Sequence, residues 1–286
     1  MERNQNIMER IKEFKLKDFE KVIIGGAKMT FIGGPCSIEG REMCEEVAGE
    51  LIRICKMLDI NFIFKGSYDK ANRSNLNAGR GVGIEKGLQI LNDIKEKYHI
   101  PVTTDVHETW QCEEAAKVVD ILQIPAYLCR QTDLILASAK TGRAVNIKKG
   151  QFMAPWNMDN VVDKMLSCGN THIILCERGN SFGYNQLVVD MQGLPEMRKL
   201  GYPVILDATH SVQKPGSSKE FTSGNREFAP YLMRAGLAVG IDGIFAEVHP
   251  DPDKAISDGP SQLKLDKMEE VLIEAKKYDD LTRSIG

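Results

Sequence analysis

Residues 204–208 read VILDA, and Thr209 and His210 follow directly. Val204, Ile205 and Leu206 are the apolar, largely β-branched residues of a strand buried on both faces, yet the run ends on Asp207. A buried strand that finishes on a carboxylate beside a histidine has one end in a polar site. Seven other runs have the same form: 29–34 (MTFIGG), 61–65 (NFIFK), 102–106 (VTTDV), 121–125 (ILQIP), 144–148 (AVNIK), 172–177 (HIILCE) and 243–247 (GIFAE). Periodicity alone does not separate such short runs from buried helix, but Gly, Pro or polar turn residues bound most of them. Between the runs, apolar residues recur at helical spacing. Met43, Val47, Leu51, Cys55 and Leu58 form one such face, and Leu88, Leu91, Ile94 and Tyr98 the next. A strand–helix–parallel strand unit takes about 30 residues, so eight in succession predict a closed (β/α)8 TIM barrel, α/β in class. It is expected to be one domain over 1–286, with an N-terminal extension of about 1–28 in which 22–26 (VIIGG) forms a hairpin over the barrel floor. A doubly wound open sheet is the alternative, but 33–40 (GGPCSIEG) lacks the GxGxxG that normally follows its first strand.

Composition narrows the class without naming a function. The 286 residues are 42% hydrophobic and 27% charged, which supplies a core and excludes a disordered or collagen-like chain. Lys and Arg number 37 against 40 Asp and Glu, a formal charge of −3 that argues against a non-specific nucleic-acid binder. Small anionic ligands stay open, because a few lysines in one cleft hardly move the total. The seven cysteines (36, 44, 55, 112, 129, 168 and 176) are odd in number, widely spaced and without a CxxC pair. That excludes a zinc ribbon and makes a disulfide framework unneeded. The charged N-terminus lacks a secretory apolar region, and no run approaches membrane-spanning length, so the expectation is a cytoplasmic protein without a membrane or nucleic-acid partner.

In a (β/α)8 barrel the loops after the strands converge at one mouth, so the residue at each strand end tests the prediction. Those ends hold Cys36; Lys65 and Lys70; Asp105 and His107; Gln123; Lys148; Glu177 and Arg178; Asp207 and His210; and Glu247 and His249. A solvated loop residue explains any one of them but not all eight. Four of these are Lys or Arg, and Arg73 beside Lys70 makes five cations that map to one mouth: Lys65, Lys70, Arg73, Lys148 and Arg178. They imply a substrate with more than one anionic group. Cys36, His210, Glu247 and Asp258 offer the thiolate, imidazole and carboxylates that suit Zn²⁺ or Fe²⁺ and not Mg²⁺. Only barrel closure brings them together; otherwise Cys36 reads as a small buried residue and His210 as a hydrogen-bonded core histidine.

Several longer stretches carry a resemblance. GPCSIE (34–39), FKGSYDKANRSN (64–75), GRGVGIEKGL (79–88), TTDVHE (103–108) and QIPAYLCRQTDLI (123–135) are followed by NIKKGQFMAPW (146–156) and CERGNSFGYNQLVVD (176–190). DATHSVQKPG (207–216) and FAEVHPDPDKAISDGPSQL (245–263) complete the series. In this order, from about 29 to 265, the chain resembles the 3-deoxy-D-manno-octulosonate-8-phosphate synthase family. That family consists of (β/α)8-barrel enzymes of lipopolysaccharide biosynthesis. They condense phosphoenolpyruvate with D-arabinose 5-phosphate and water, releasing phosphate. The sister family, 3-deoxy-D-arabino-heptulosonate-7-phosphate synthase, takes erythrose 4-phosphate and resembles KPRTS where this chain has KANRS (70–74), with Ala71 in place of Pro. A barrel that has lost catalysis and only binds phosphosugars is the non-enzyme alternative, though it would be expected to show gaps in the polar ring.

The resemblance implies particular roles. Lys148 and Arg178, with backbone near Ala126, would hold the phosphate of phosphoenolpyruvate, and Lys65 and Lys70 would neutralise its carboxylate. Asn72, Arg73 and Ser74 would engage arabinose 5-phosphate, the Arg–Ser pair at a neighbouring subunit's site, which implies a homotetramer. Asp105 and Gln123 would support these groups. Lys70, Lys148, His210 and Asp258 are the candidate catalytic residues. Cys36, where metal-independent members carry Asn, places the chain with the metal-dependent class, in which a divalent ion (Zn, Fe or Mn) would sit on Cys36, His210, Glu247 and Asp258. The stretch SDGPSQ (257–262) is nearer the form found in metal-independent members.

Overall fold

The computed structural model describes residues 11–72, 79–214 and 223–285. Arg73 and Ser74 lie outside the described residues. Eight parallel strands form the wall: β1 Thr30–Gly34, β2 Asn61–Lys65, β3 Val102–Asp105, β4 Ile121–Ile124, β5 Ala144–Lys148, β6 Ile173–Glu177, β7 Val204–Asp207 and β8 Gly243–His249. Each pairs with the next, and β8 pairs with both β7 and β1, so the ring is closed. Outside it lie α1 Arg41–Met57, α2 Ile84–Tyr98, α3 Thr109–Ala116, α4 Thr132–Lys140, α5 Asp159–Ser167, α6 Gly193–Arg198, α7 Ala229–Val239 and α8 Met268–Ile285. The strands match the predicted runs to within a residue or two. β8 is the exception in length, continuing through Glu247 and Val248 to His249.

Alternation along the strands divides the core in two. Outward residues such as Phe31, Phe64, Leu122, Ile147, Leu206 and Ile244 share one cluster with the helices. Inward residues Ile32, Ile63, Ile121, Ala144, Ile174, Ile205 and Phe245 form a second. Phe14, Leu16 and Ile24, from an antiparallel hairpin (Phe14–Leu16 with Phe19–Ile24), belong to this inner cluster. The floor plug is therefore present, but its arms start earlier than 22–26 because Phe14 and Leu16 supply apolar contacts of their own. At the opposite end the inward positions turn polar: Lys65, Asp105, Gln123, Lys148, Asp207 and Glu247 are all buried.

Candidate active site

Cys36 reaches the mouth because β1 ends in two glycines. A Cβ on Gly34 would overlap the Lys65 carbonyl oxygen, so only glycine lets these strands approach here. The Cys36 amide donates to Gln262 Oε1 at 3.1 Å, and its thiol lies 3.4 Å from Asp258 Oδ2. Donor atoms of Cys36, Glu247 and Asp258 all fall within 4.8 Å of one another. His210 joins through the two carboxylates, its Nε2 being 3.5 Å from Glu247 Oε2 and 3.9 Å from Asp258 Oδ2. All four predicted ligands therefore meet, with three in a tight group and the imidazole at its side.

Asp207 fixes the imidazole. Its Oδ2 lies 2.6 Å from His210 Nδ1, and its Oδ1 accepts the His210 backbone N–H at 2.9 Å. Burial pushes the Asp207 carboxyl upward, but His210 and Lys148 outweigh it and hold it well below the usual carboxylate range. The contact at Nδ1 fixes the ring orientation, so Nε2 faces Glu247 and Asp258. Glu247 is likewise lowered, burial being overcome by Lys65, His210, Lys70 and Lys148, and its buried Oε2 has no hydrogen-bond partner among the described residues. An orphaned carboxylate oxygen among S, N and O donors fits a divalent transition metal. The Cys36 thiol itself is pushed well up by burial and by Glu247.

The cations differ in how free they are. Lys65 spends its ammonium on Glu247 Oε1 (2.6 Å) and on the carbonyls of Cys36 (2.8 Å) and Pro35 (3.3 Å). Lys70 Nζ stands 3.7 Å from Glu247 and 3.9 Å from Asp105, beyond hydrogen-bonding distance. Burial pulls Lys70 down, but Cys36, Glu247, Asp105 and Asp258 raise it well above an ordinary lysine. Because the thiol stays protonated without a cation, the carboxylates are what keep this ammonium charged. Lys148 pairs with Asp207 and sits 3.5 Å above the centroid of the Phe245 ring. Arg178 donates through one guanidinium nitrogen to His210 O (2.7 Å) and Gln213 Oε1 (2.9 Å), leaving Nε buried without a partner among the described residues.

Asp105 accepts from Gln123 and, at 2.5 Å, from the Ser67 hydroxyl; Asn146 donates to Gln123 Oε1 at 2.9 Å. Burial raises Asp105, but Lys65, Lys70, His107 and Lys148 hold it well below the carboxylate range. Ala126 opens a one-turn 3-10 helix, Ala126–Leu128, at the mouth end of β4. Asn72 is exposed at the edge of the described loop after β2.

Comparison with known proteins now bears on this mouth. Residues 7–284 match the model of the DAHP synthetase I family. The chain belongs to this family. Similar proteins within it include a 2-dehydro-3-deoxyphosphooctonate aldolase of Fusobacterium nucleatum subsp. nucleatum, 57% identical over 265 residues, 92% of this chain and 95% of the relative. A protein of the same name from Granulibacter bethesdensis is 57% identical over 253 residues, covering 88% and 90%. Another, from Rickettsia bellii, is 52% identical over 272 residues, covering 95% and 98%. 2-Dehydro-3-deoxyoctonate and 3-deoxyoctulosonate name one carbon skeleton, so these relatives fall on the octulosonate side of the family and not on that of its heptulosonate sister.

Several residues of this mouth escaped the sequence reading. Gln262 ties the Cys36 amide to the Ser257 carbonyl (2.8 Å), joining the two loops that carry Cys36 and Asp258. Thr209 Oγ1 accepts the Glu247 N–H at 2.8 Å. Ser67, Asn146 and Gln213 are neutral polar residues whose importance depends on a partner distant in sequence. No spacing signal announces such a partner.

Proposed function

We propose that the protein condenses phosphoenolpyruvate with D-arabinose 5-phosphate and water, giving 3-deoxy-D-manno-octulosonate 8-phosphate and inorganic phosphate, as a 3-deoxy-8-phosphooctulonate synthase of lipopolysaccharide synthesis. The observation that carries this reading is the two-sided mouth. Lys148 ends β5 and Arg178 follows β6, its Nε without a partner among the described residues, whereas Cys36, Glu247 and Asp258 come from the ends of β1 and β8. Lys148 and Arg178, beside Ala126, would take the phosphate of phosphoenolpyruvate. Lys70, charged and without a short hydrogen bond, would meet its carboxylate, and Lys65 would add charge from behind Glu247. Asn72, Arg73 and Ser74 are assigned to the sugar phosphate.

Carbon 3 of the enol attacks the aldehyde carbon, water adds at carbon 2, and phosphate leaves as the carbon 2–oxygen bond breaks. Positive charge develops at carbon 2 and negative charge on the aldehyde oxygen. Fixed carboxylates and ammonium groups at one mouth stabilise both without reorganisation. Asp207 holds the His210 ring by its Nδ1, and Asp105, held by Ser67 and Gln123, keeps Lys70 directed inward. Cys36, His210, Glu247 and Asp258 would hold a divalent ion, Zn, Fe or Mn, which when bound would supply Lewis acidity at the mouth. The whole chain serves as one catalytic domain in this reading, a cytoplasmic homotetramer. Among the described residues no helix is long and apolar enough to cross a membrane.

The test is phosphate release from phosphoenolpyruvate with either arabinose 5-phosphate or erythrose 4-phosphate. The five-carbon sugar is the expected acceptor. Preference for erythrose 4-phosphate would move the chain to the sister activity, and no release with either would leave a binding protein.

A further inference from the structure

Lys148 and Arg178 each have a charged chain neighbour that faces the other way. Strand alternation turns Lys148 toward the barrel axis and Lys149 away from it; Cys176 points inward, Glu177 outward and Arg178 back to the mouth. Lys149 and Glu177 meet behind the wall, Nζ to Oε2 at 3.4 Å, with side chains 0% and 2% exposed. The three hydrogen bonds of the Lys149 ammonium go to Asn180 Oδ1 (2.5 Å), Met153 O (3.1 Å) and Gly150 O (3.4 Å), so its contact with Glu177 is one of charge. Glu177 Oε1 accepts the backbone N–H groups of Arg178 (2.9 Å) and Gly179 (2.6 Å).

A buried ion pair is poor value for stability, since an apolar pair of equal volume often does as well or better. What an apolar pair cannot do is accept two consecutive N–H groups where the chain turns at Gly179, whose φ is 87°. That turn sets the direction in which Arg178 leaves β6. On the neighbouring strand, the Lys149 backbone N–H donates to Cys176 O at 2.8 Å, so the main chain after Lys148 is tied to the strand that carries Glu177.

We propose that Lys149 and Glu177 are positioning residues, a buried brace that aims Lys148 and Arg178 together and so sets affinity for the phosphate of phosphoenolpyruvate. The inference rests on the phosphate role given to those two cations above. Lys149→Met is expected to raise the KM for phosphoenolpyruvate about tenfold or more while the KM for arabinose 5-phosphate stays within about twofold. Calorimetric binding of inorganic phosphate should weaken by a similar factor. Adding Glu177→Gln to Lys149→Met should restore part of the loss, because the amide still accepts an N–H and no buried charge is left unpaired.

Lys95→Met is the control. It breaks a partly buried pair, with Asp120 at 2.7 Å, at the floor end of the barrel. It should lower the unfolding midpoint and leave both KM values alone. Equal rises in the two KM values, a change confined to the unfolding midpoint, or no recovery in a folded double variant would each overturn the proposal. If Lys149→Met alone does not fold, the double variant is compared with wild type for the same KM split. Should wild-type protein release no phosphate with either sugar, the proposed reaction falls, and the calorimetric titration still decides whether the brace governs phosphate affinity.

Discussion

At the scale of the residue, the proposed metal chemistry turns on Cys36. A thiol that burial and Glu247 push well up does not ionise unaided, so its use as a ligand depends on a cation strong enough to displace the proton. Asp258 stands ready at 3.4 Å, held in a left-handed backbone conformation at φ 51° and tied into place through Gln262. Chelation of the purified protein is therefore expected to abolish phosphate release, and Zn²⁺, Mn²⁺ or Fe²⁺ to restore it. Metal-stripped protein with full activity would remove the ion from the reaction. Cys36→Asn is expected to lose the ion on dialysis, by metal analysis, yet keep turnover, as the resemblance to metal-independent members with asparagine there implies. An inert variant under every metal condition would give the thiol a role beyond ligation.

At the scale of the element, the same alternation that fills the barrel also arms it. Along β8, Ile244, Ala246 and Val248 face the helices, while Phe245 faces the axis and Glu247 the mouth. The lower end is closed by the hairpin, in which Leu16 is fully buried. Leu16→Ala is expected to destabilise the fold by about 2–5 kcal/mol in chemical denaturation while leaving the KM for both substrates unchanged. A matching change in KM would mean that the floor and the mouth are coupled. The eight strands were legible because both of their faces are buried, which makes each an apolar run bounded by turns. The same burial hid which residues face inward, because alternation disappears when both sides are apolar. Strand-end charges were legible for a related reason: an acid or lysine interrupting an apolar run stands out. Partners were not. Gln262 reaches Cys36 across 226 residues, and Lys149 looks like a second surface lysine until Glu177 is placed beside it.

At the scale of the whole molecule, a net charge of −3 conceals a mouth in which buried acids and buried cations balance locally. That balance makes stability depend on pH in a definite direction. Asp105, Asp207 and Glu247 are all held below ordinary carboxylate values, burial being outweighed by Lys65, Lys70, Lys148 and His210 in varying combination. The folded state thus binds fewer protons than the unfolded chain, whose carboxylates titrate near about 4. Their contribution is complete above that value and is lost as pH falls toward the folded values. Asp120 and Asp242, raised by burial, oppose this in part. Lys70 and Cys36 act at the other end. Both are raised, so their contribution is complete below their unfolded values, about 10.4 and 8.5, and is lost as pH rises beyond them. A stability plateau between the two limbs is the expected profile of urea midpoints against pH. Asp207→Asn should lower the plateau, because Lys148 and His210 lose their shared anion, and should flatten the acid limb, because one depressed carboxylate is gone. A variant with a lowered plateau but an acid limb as steep as wild type would place the acid sensitivity outside this cluster of charges.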